Sequence, residues 1–269
     1  MTVSNLRGKR IGITAPKSYG EFLVERLEHA GAIPVWAPTI SIHRHEQTRQ
    51  AVRGAIARIQ SVAGIIFTSR NGIKAVAEVL PAEIPSLPEP FLLGALGRDA
   101  QLLNTLGSLC HAPGIQRIIP REATPKALVA ALGEGNGRSL LCPVPRVVGL
   151  TEPDVVPDFL RDLQLAGWNP IRVDAYETAW MGDRCAERFC SGLDAWIVTS
   201  TVEVEGLIKS FDAMNLDRSQ WLENVVVAAH GPVTAKGAEP LEVCVQVMSH
   251  DSSSFGGVVE SLSQFWADL

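Results

Sequence analysis

No run of apolar residues in this chain approaches the roughly 20 that a membrane-spanning helix needs, although 46% of its 269 residues are hydrophobic. Apolar residues spread in short runs suit a packed interior instead. Positive charge is not in excess either: 24 Lys and Arg stand against 29 Asp and Glu, a net charge of −5. That balance argues against bulk attraction to nucleic acid or to an anionic membrane. The five cysteines (Cys110, Cys142, Cys185, Cys190 and Cys244) are odd in number and lack metal-ligand spacing. They read as thiols of a reducing compartment, mostly packing residues. His43 and His45 form an i, i+2 pair with no third ligand evident, and a polar linker explains them better than a metal site. No G-x-S-x-G elbow surrounds Ser69 or Ser200, which argues against serine-hydrolase chemistry. The glycines at 94 and 97 are too closely spaced for a dinucleotide fingerprint. The opening MTVSNLRGKR runs straight into a strand without a secretory apolar region, so any targeting segment is expected to have been removed.

What the chain does have is a faint internal duplication. Leu23, Leu27, Ala30, Gly31 and Pro34 recur as Phe159, Leu163, Ala166, Gly167 and Pro170, each displaced by 136 positions. The spacings of four and three mark one face of a helix, and the glycine suits a helix end with positive φ. Ile65-Ile66-Phe67-Thr68-Ser69 is echoed by Trp196-Ile197-Val198-Thr199-Ser200. Two further echoes follow in the same order: Gly97-Arg98-Asp99-Ala100 with Gly231-Pro232-Val233-Thr234-Ala235, and 124–132 with 254–262. Four echoes in one order argue for repetition. The length, near twice that of a common domain, agrees.

Strands alternating with helices predict an α/β fold with parallel sheets wound on both faces. Strands are expected at 10–15, 33–37, 64–68, 91–95, 116–120, 139–142, 171–175, 196–199, 225–229 and 243–248. Helices are expected between them, with 16–20 as a loop carrying Lys17 and 143–157 as a proline-rich surface loop. The layout predicted is two similar five-stranded, doubly wound lobes, the second inserted into the first. Residues 1–39 with 178–269 form lobe one, 46–173 form lobe two, and 40–45 and 174–177 are the two threads between them. Tyr176 lies on the second thread.

In such folds the loops after the strands bind ligands. Here they carry Lys17, Thr68, Ser69, Arg70, Gly97, Arg98, Thr199, Ser200, Gly231, Pro232, Val233 and Thr234. Helix starts present unpaired N–H groups and suit carboxylates or phosphates. Ser69 and Ser200 could equally cap their own helices, but their recurrence in both halves favours a shared anion-binding role.

The chain resembles the uroporphyrinogen-III synthase family. The matching stretches are IIFTSRNGI from Ile65, LRDLQLAGWNPIRVDAYET from Leu160, WIVTS from Trp196 and AAHGPVTAKGA from Ala228. The stretch LLCPVPRVVGLTEPDVVPDFL is most similar to the plant-type branch, which implies plastid stroma, or cytoplasm for a bacterial source. The resemblance implies a cyclising hydro-lyase in tetrapyrrole (haem and chlorophyll) biosynthesis, with its site in a cleft between two lobes. The substrate would be hydroxymethylbilane, a linear octacarboxylate, cyclised to uroporphyrinogen III with ring D inverted. No metal or organic cofactor is implied. A monomer is expected, with transient contact to the upstream deaminase and no nucleic-acid or membrane partner.

Tyr176 matches the family tyrosine, which implies a hydrogen bond to the departing hydroxyl that assists its ionisation; interlobe packing is the bland alternative. Backbone N–H groups near Ser69, Ser200 and Val233 would grip substrate carboxylates, helped by Arg70, Lys17, Arg98 and Arg121. Charge-assisted hydrogen bonds of roughly 1.5–3 kcal/mol each would outweigh a screened net charge. The sequence departs from the family at Asp99, where a threonine is usual. A carboxylate there would repel substrate unless it caps its own helix or pairs with Arg98, and Asp99→Ala is not expected to abolish turnover. A different reading of two α/β lobes on threads is a bilobal binding or sensor protein that closes on an anionic ligand without chemistry.

Overall fold

In the computed structural model, residues 5–251 and 254–269 are described. The elements run β1 (Arg10–Ile13), α1 (Lys17–His29), β2 (Ile33–Trp36), β3 (Ile40–His43), α2 (Glu46–Ile56), β4 (Gly64–Ile66), α3 (Arg70–Val79) and β5 (Phe91–Gly94). A 3-10 segment, Gly97–His111, precedes β6 (Ile115–Ile118), α4 (Pro125–Leu132), β7 (Ser139–Val148), α5 (Val155–Leu165) and β8 (Asn169–Trp180). After a 3-10 turn at Asp183–Arg188 come β9 (Ala195–Val198), α6 (Thr201–Ala213), α7 (Arg218–Glu223), β10 (Val226–Ala229), α8 (Pro232–Ala238), β11 (Val247–Met248) and α9 (Phe255–Ala267).

The chain divides into two compact units. One holds the described residues up to Ile42 together with Val148–Pro153 and Ala179–Leu269; the other holds His43–Val147 and Asp154–Thr178. Residues 148–153, placed in lobe two by the sequence reading, group with the first unit. There the Thr151 amide and hydroxyl donate to Glu205, and Lys209 Nζ donates to Gly149 O at 2.7 Å.

The five-stranded sheet has the order β11-β10-β9-β1-β2 and is parallel. Its central strand β9 is wholly buried. Alternate residues feed opposite faces. Trp196 and Val198 pack with Phe189, Leu207 and Phe211. Ala195 and Ile197 pack with Ile11, Leu23, Leu27 and Leu262. Each such buried side chain contributes roughly 1.5–3 kcal/mol.

The second sheet corrects the expectation of five parallel strands. It has six, ordered β3-β8-β7-β4-β5-β6, and is mixed. The extra strand is β3, expected as an irregular thread. Ser41 Oγ donates to Ala179 O, while His45, farther along the chain, meets Glu177, so β3 runs against β8. The cause is a short period-two alternation, Ile40-Ser41-Ile42-His43. Strand β7 likewise runs through Pro143 and Pro145, where a surface loop was expected. Its ladder to β4 ends at Leu141, so the later prolines omit no N–H needed on that side. Gly97–His111 is 3-10 rather than α-helix and is broken at Gly107, φ +56. The last strand shrinks to two residues.

Helices α1 and α5 show the duplication directly. Leu23, Leu27, Phe159 and Leu163 are all buried, and Gly31 and Gly167 share φ +78. Past each glycine the next amide folds back on the helix: Ala32 N–H donates to Leu27 O at 2.9 Å and Trp168 N–H to Leu163 O at 3.0 Å. Those bonds satisfy carbonyls that a helix end leaves orphaned.

Candidate functional site

Strand β4 runs out through Phe67 and Thr68 into Ser69, which is extended (φ −154, ψ 153) and caps α3 by accepting from Gly72 N–H at 3.2 Å. The same Oγ lies 2.9 Å from the Tyr176 hydroxyl on β8. Tyr176 is 5% exposed. Thr68, Ser69 and Arg70 are half-buried, so the turn is supported from beneath yet reachable.

The sequence reading offered Asp99 a cap on its own helix or a pair with Arg98; its carboxylate meets Arg70 instead. Oδ2 accepts from the Arg70 backbone N–H at 2.9 Å, and Oδ1 accepts from Arg70 Nε at 3.1 Å and lies 2.9 Å from Nη2. The start of α3 thus already holds an anion of the chain's own. Gly97, at φ +46, turns the chain two residues before Asp99, and Arg98 is exposed.

The equivalent turn of the first unit is also filled. Glu203, on the first turn of α6, is 1% exposed. Its Oε2 accepts from Thr199 N–H and Thr14 Oγ1, both at 3.1 Å. Its Oε1 accepts from Ser200 Oγ at 2.9 Å and from Thr199 Oγ1. Thr14 Oγ1 in turn accepts from Trp196 Nε1 at 3.1 Å. Burial pushes the Glu203 carboxyl above its ordinary value, and the donors on it oppose that rise. With both hydroxyls donating inward, Thr199 and Ser200 have no side-chain proton left for a ligand. This corrects the reading of the Ser200 side chain as a cap. Sequence reasoning missed Glu203, yet Ser200-Thr201-Val202-Glu203 carries the S-x-x-E capping signature.

Thr234 is buried and its hydroxyl donates to Thr199 O at 3.2 Å, so it ties α8 to the β9 turn and caps nothing. Gly231 is extended, while Pro232 and Val233 are exposed. Lys17 belongs to the first turn of α1 instead of a loop; its side chain is 83% exposed and 3.8 Å from Glu21. Arg121 is exposed.

Beside Tyr176, Glu177 meets Arg146 Nη2 at 2.6 Å and His45 Nε2 at 3.1 Å. Arg146 first, then His45, holds its carboxyl below the usual range. His45 Nδ1 accepts from Thr48 N–H, capping α2, which leaves Nε2–H to donate to Glu177. Both ring nitrogens are therefore engaged, and among the described residues no group of three His, Cys, Asp or Glu stands ready for a metal. Burial pushes the Cys142 thiol up to about 12, so it is a packing group rather than a nucleophile.

The profile of uroporphyrinogen-III synthase HemD matches residues 21–258. A provisionally named uroporphyrinogen-III synthase of Methanothermobacter thermautotrophicus is 26% identical over 236 residues, 85% of this chain and 88% of that protein. The crystal structure of a mutant uroporphyrinogen III synthase from the extreme thermophile Thermus thermophilus superposes with a TM-score of 0.66 at 19% identity, covering 97% of this chain and 100% of that one. The ordered sequence stretches, the α/β fold and a profile match over most of the chain agree: the chain belongs to the uroporphyrinogen-III synthase family.

Proposed function

We propose that this protein is a uroporphyrinogen-III synthase that cyclises hydroxymethylbilane to uroporphyrinogen III. The observation that carries the reading, beyond family membership, is the Ser69–Tyr176 hydrogen bond at the head of α3. Ser69 Oγ already accepts from Gly72 N–H. When it donates its own proton to Tyr176 Oη, the phenol becomes a better proton donor.

Tyr176 gives that proton to the terminal hydroxyl of the bilane. The C–O bond breaks with electron push from the adjacent pyrrole nitrogen, and water leaves an azafulvene cation. Ring D attacks through its substituted carbon to give a spiro intermediate, which fragments and recloses with the ring inverted; a ring proton is then lost. That proton restores the Tyr176 phenol, and water is the only by-product. Which carbon attacks is decided by how the chain folds the substrate. Arg70, Arg98, Lys17 and the backbone N–H groups around Thr68, Gly97, Ser200, Gly231, Val233 and Thr234 take the acetate and propionate groups. The substrate comes from a deaminase that assembles the linear bilane.

The test is an assay coupled to that deaminase, with isomers separated after oxidation. Type III product is expected. Type I alone, the spontaneous ring closure, would reject the enzyme reading and leave a bilobal binding protein.

A further inference from the structure

Two carboxylates of the chain sit on the two ligand turns, and they differ in one decisive respect. Glu203 is 1% exposed and is held by groups from three separate residues. Asp99 has a side chain 22% exposed, and its bonds at this turn all come from Arg70, whose side chain is 34% exposed. The first is locked into the core. The second can swing out without opening it.

We propose that Asp99 is a built-in competitor for a substrate carboxylate, and so a specificity-determining residue. Its carboxylate occupies the Arg70 amide and guanidinium together, a fork that matches any carboxylate. An incoming acetate or propionate gains that fork only by displacing Asp99. Asp99 thereby raises the threshold for binding and disfavours ligands with few carboxylates, which cannot supply the other contacts. The inference rests on the reading of the substrate as a polycarboxylate.

The test is a fluorescence titration with uroporphyrin I, a stable octacarboxylate, and with a monocarboxylate competitor, acetate. Asp99→Asn keeps the shape and an acceptor for the Arg70 amide, so the turn is retained. It should tighten uroporphyrin binding about tenfold and make acetate a measurable competitor. In an Arg70→Gln background the same change should give no gain. Asp158→Asn, which removes an equal charge paired with Arg161 on α5, should change nothing. Unchanged or weaker binding in Asp99→Asn would overturn the proposal, as would an equal gain in Asp158→Asn. Should the asparagine variant fail to fold, Asp99→Thr gives the same comparison. The readout is binding, so it separates from the isomer assay: type I product alone sinks the enzyme reading and leaves a tenfold gain standing, and type III product alongside an unchanged affinity sinks this one.

Discussion

Ser69 and Tyr176, 107 positions apart, share a 2.9 Å hydrogen bond that ties the head of α3 to β8. One hydroxyl therefore serves two ends: it caps a helix and holds a phenol. Tyr176→Phe removes the phenol and nothing of the cap. If the proposed reaction holds, it should lower kcat about tenfold, less than the roughly 10²–10⁴-fold a general acid supplies because the leaving hydroxyl departs readily. KM should be unchanged and stability lowered only by one lost hydrogen bond, about 0.5–1.5 kcal/mol. Ser69→Ala removes the cap as well, about 1 kcal/mol, so Tm should fall by about 2–4 °C along with kcat. Equal rates for wild type and Tyr176→Phe in single-turnover assays would exclude the phenol as the proton donor.

Glu203 makes a prediction with a sign. Burial holds its carboxyl above its ordinary value of 4.5. The folded state therefore keeps a proton that the unfolded chain has already released. Its contribution to stability is complete below 4.5 and fades as pH rises through the folded-state value. Urea midpoints followed upward from about pH 4.5 should show this loss in wild type and a flatter limb in Glu203→Gln. Glu203→Ala leaves the Thr199 amide and three hydroxyls short of an acceptor, at about 1–3 kcal/mol for each group left unsatisfied, and should be far less stable than the glutamine variant. Parallel pH profiles for wild type and Glu203→Gln would show that this carboxyl does not titrate with folding.

Much of the fold is legible because it is written locally. The apolar run of β9 and the spacing Leu23, Leu27, Gly31 need only neighbours three or four residues away to be read. Strand β3 escapes because four residues of alternation between Pro38 and the polar Arg44-His45-Glu46 look like a linker. Strand β7 escapes because proline is read as a breaker, and only the sheet shows that its β4 ladder has already ended. The site is harder. A serine before a helix reads the same whether it caps, as Ser69 does, or donates into a buried glutamate, as Ser200 does. The Arg70–Asp99 pair joins residues 29 positions apart, and no local pattern announces it. Asp99 stands out only as an unexpected charge; its partner is fixed by the packing of α3 against the 3-10 segment.

The duplicated helix ends supply a last test, one that concerns folding rather than chemistry. Gly31 and Gly167 both sit at φ +78. A methyl group at either would find its nearest neighbour at ordinary contact distance, Arg7 Cα at 3.6 Å or Asn136 N at 3.5 Å. Steric clash is therefore absent at both, and the backbone conformation alone decides the cost. Alanine pays about 1–2 kcal/mol in the left-handed region, partly offset by about 0.4–1 kcal/mol from a stiffer unfolded chain. Gly31→Ala and Gly167→Ala should therefore each lose about 1 kcal/mol, and by similar amounts. Asparagine tolerates this region better, so Gly31→Asn and Gly167→Asn should lose less. Denaturant titration of the four variants reads the order directly. An alanine variant as stable as wild type, or asparagine worse than alanine at both positions, would mean that something other than backbone conformation holds these two helix ends.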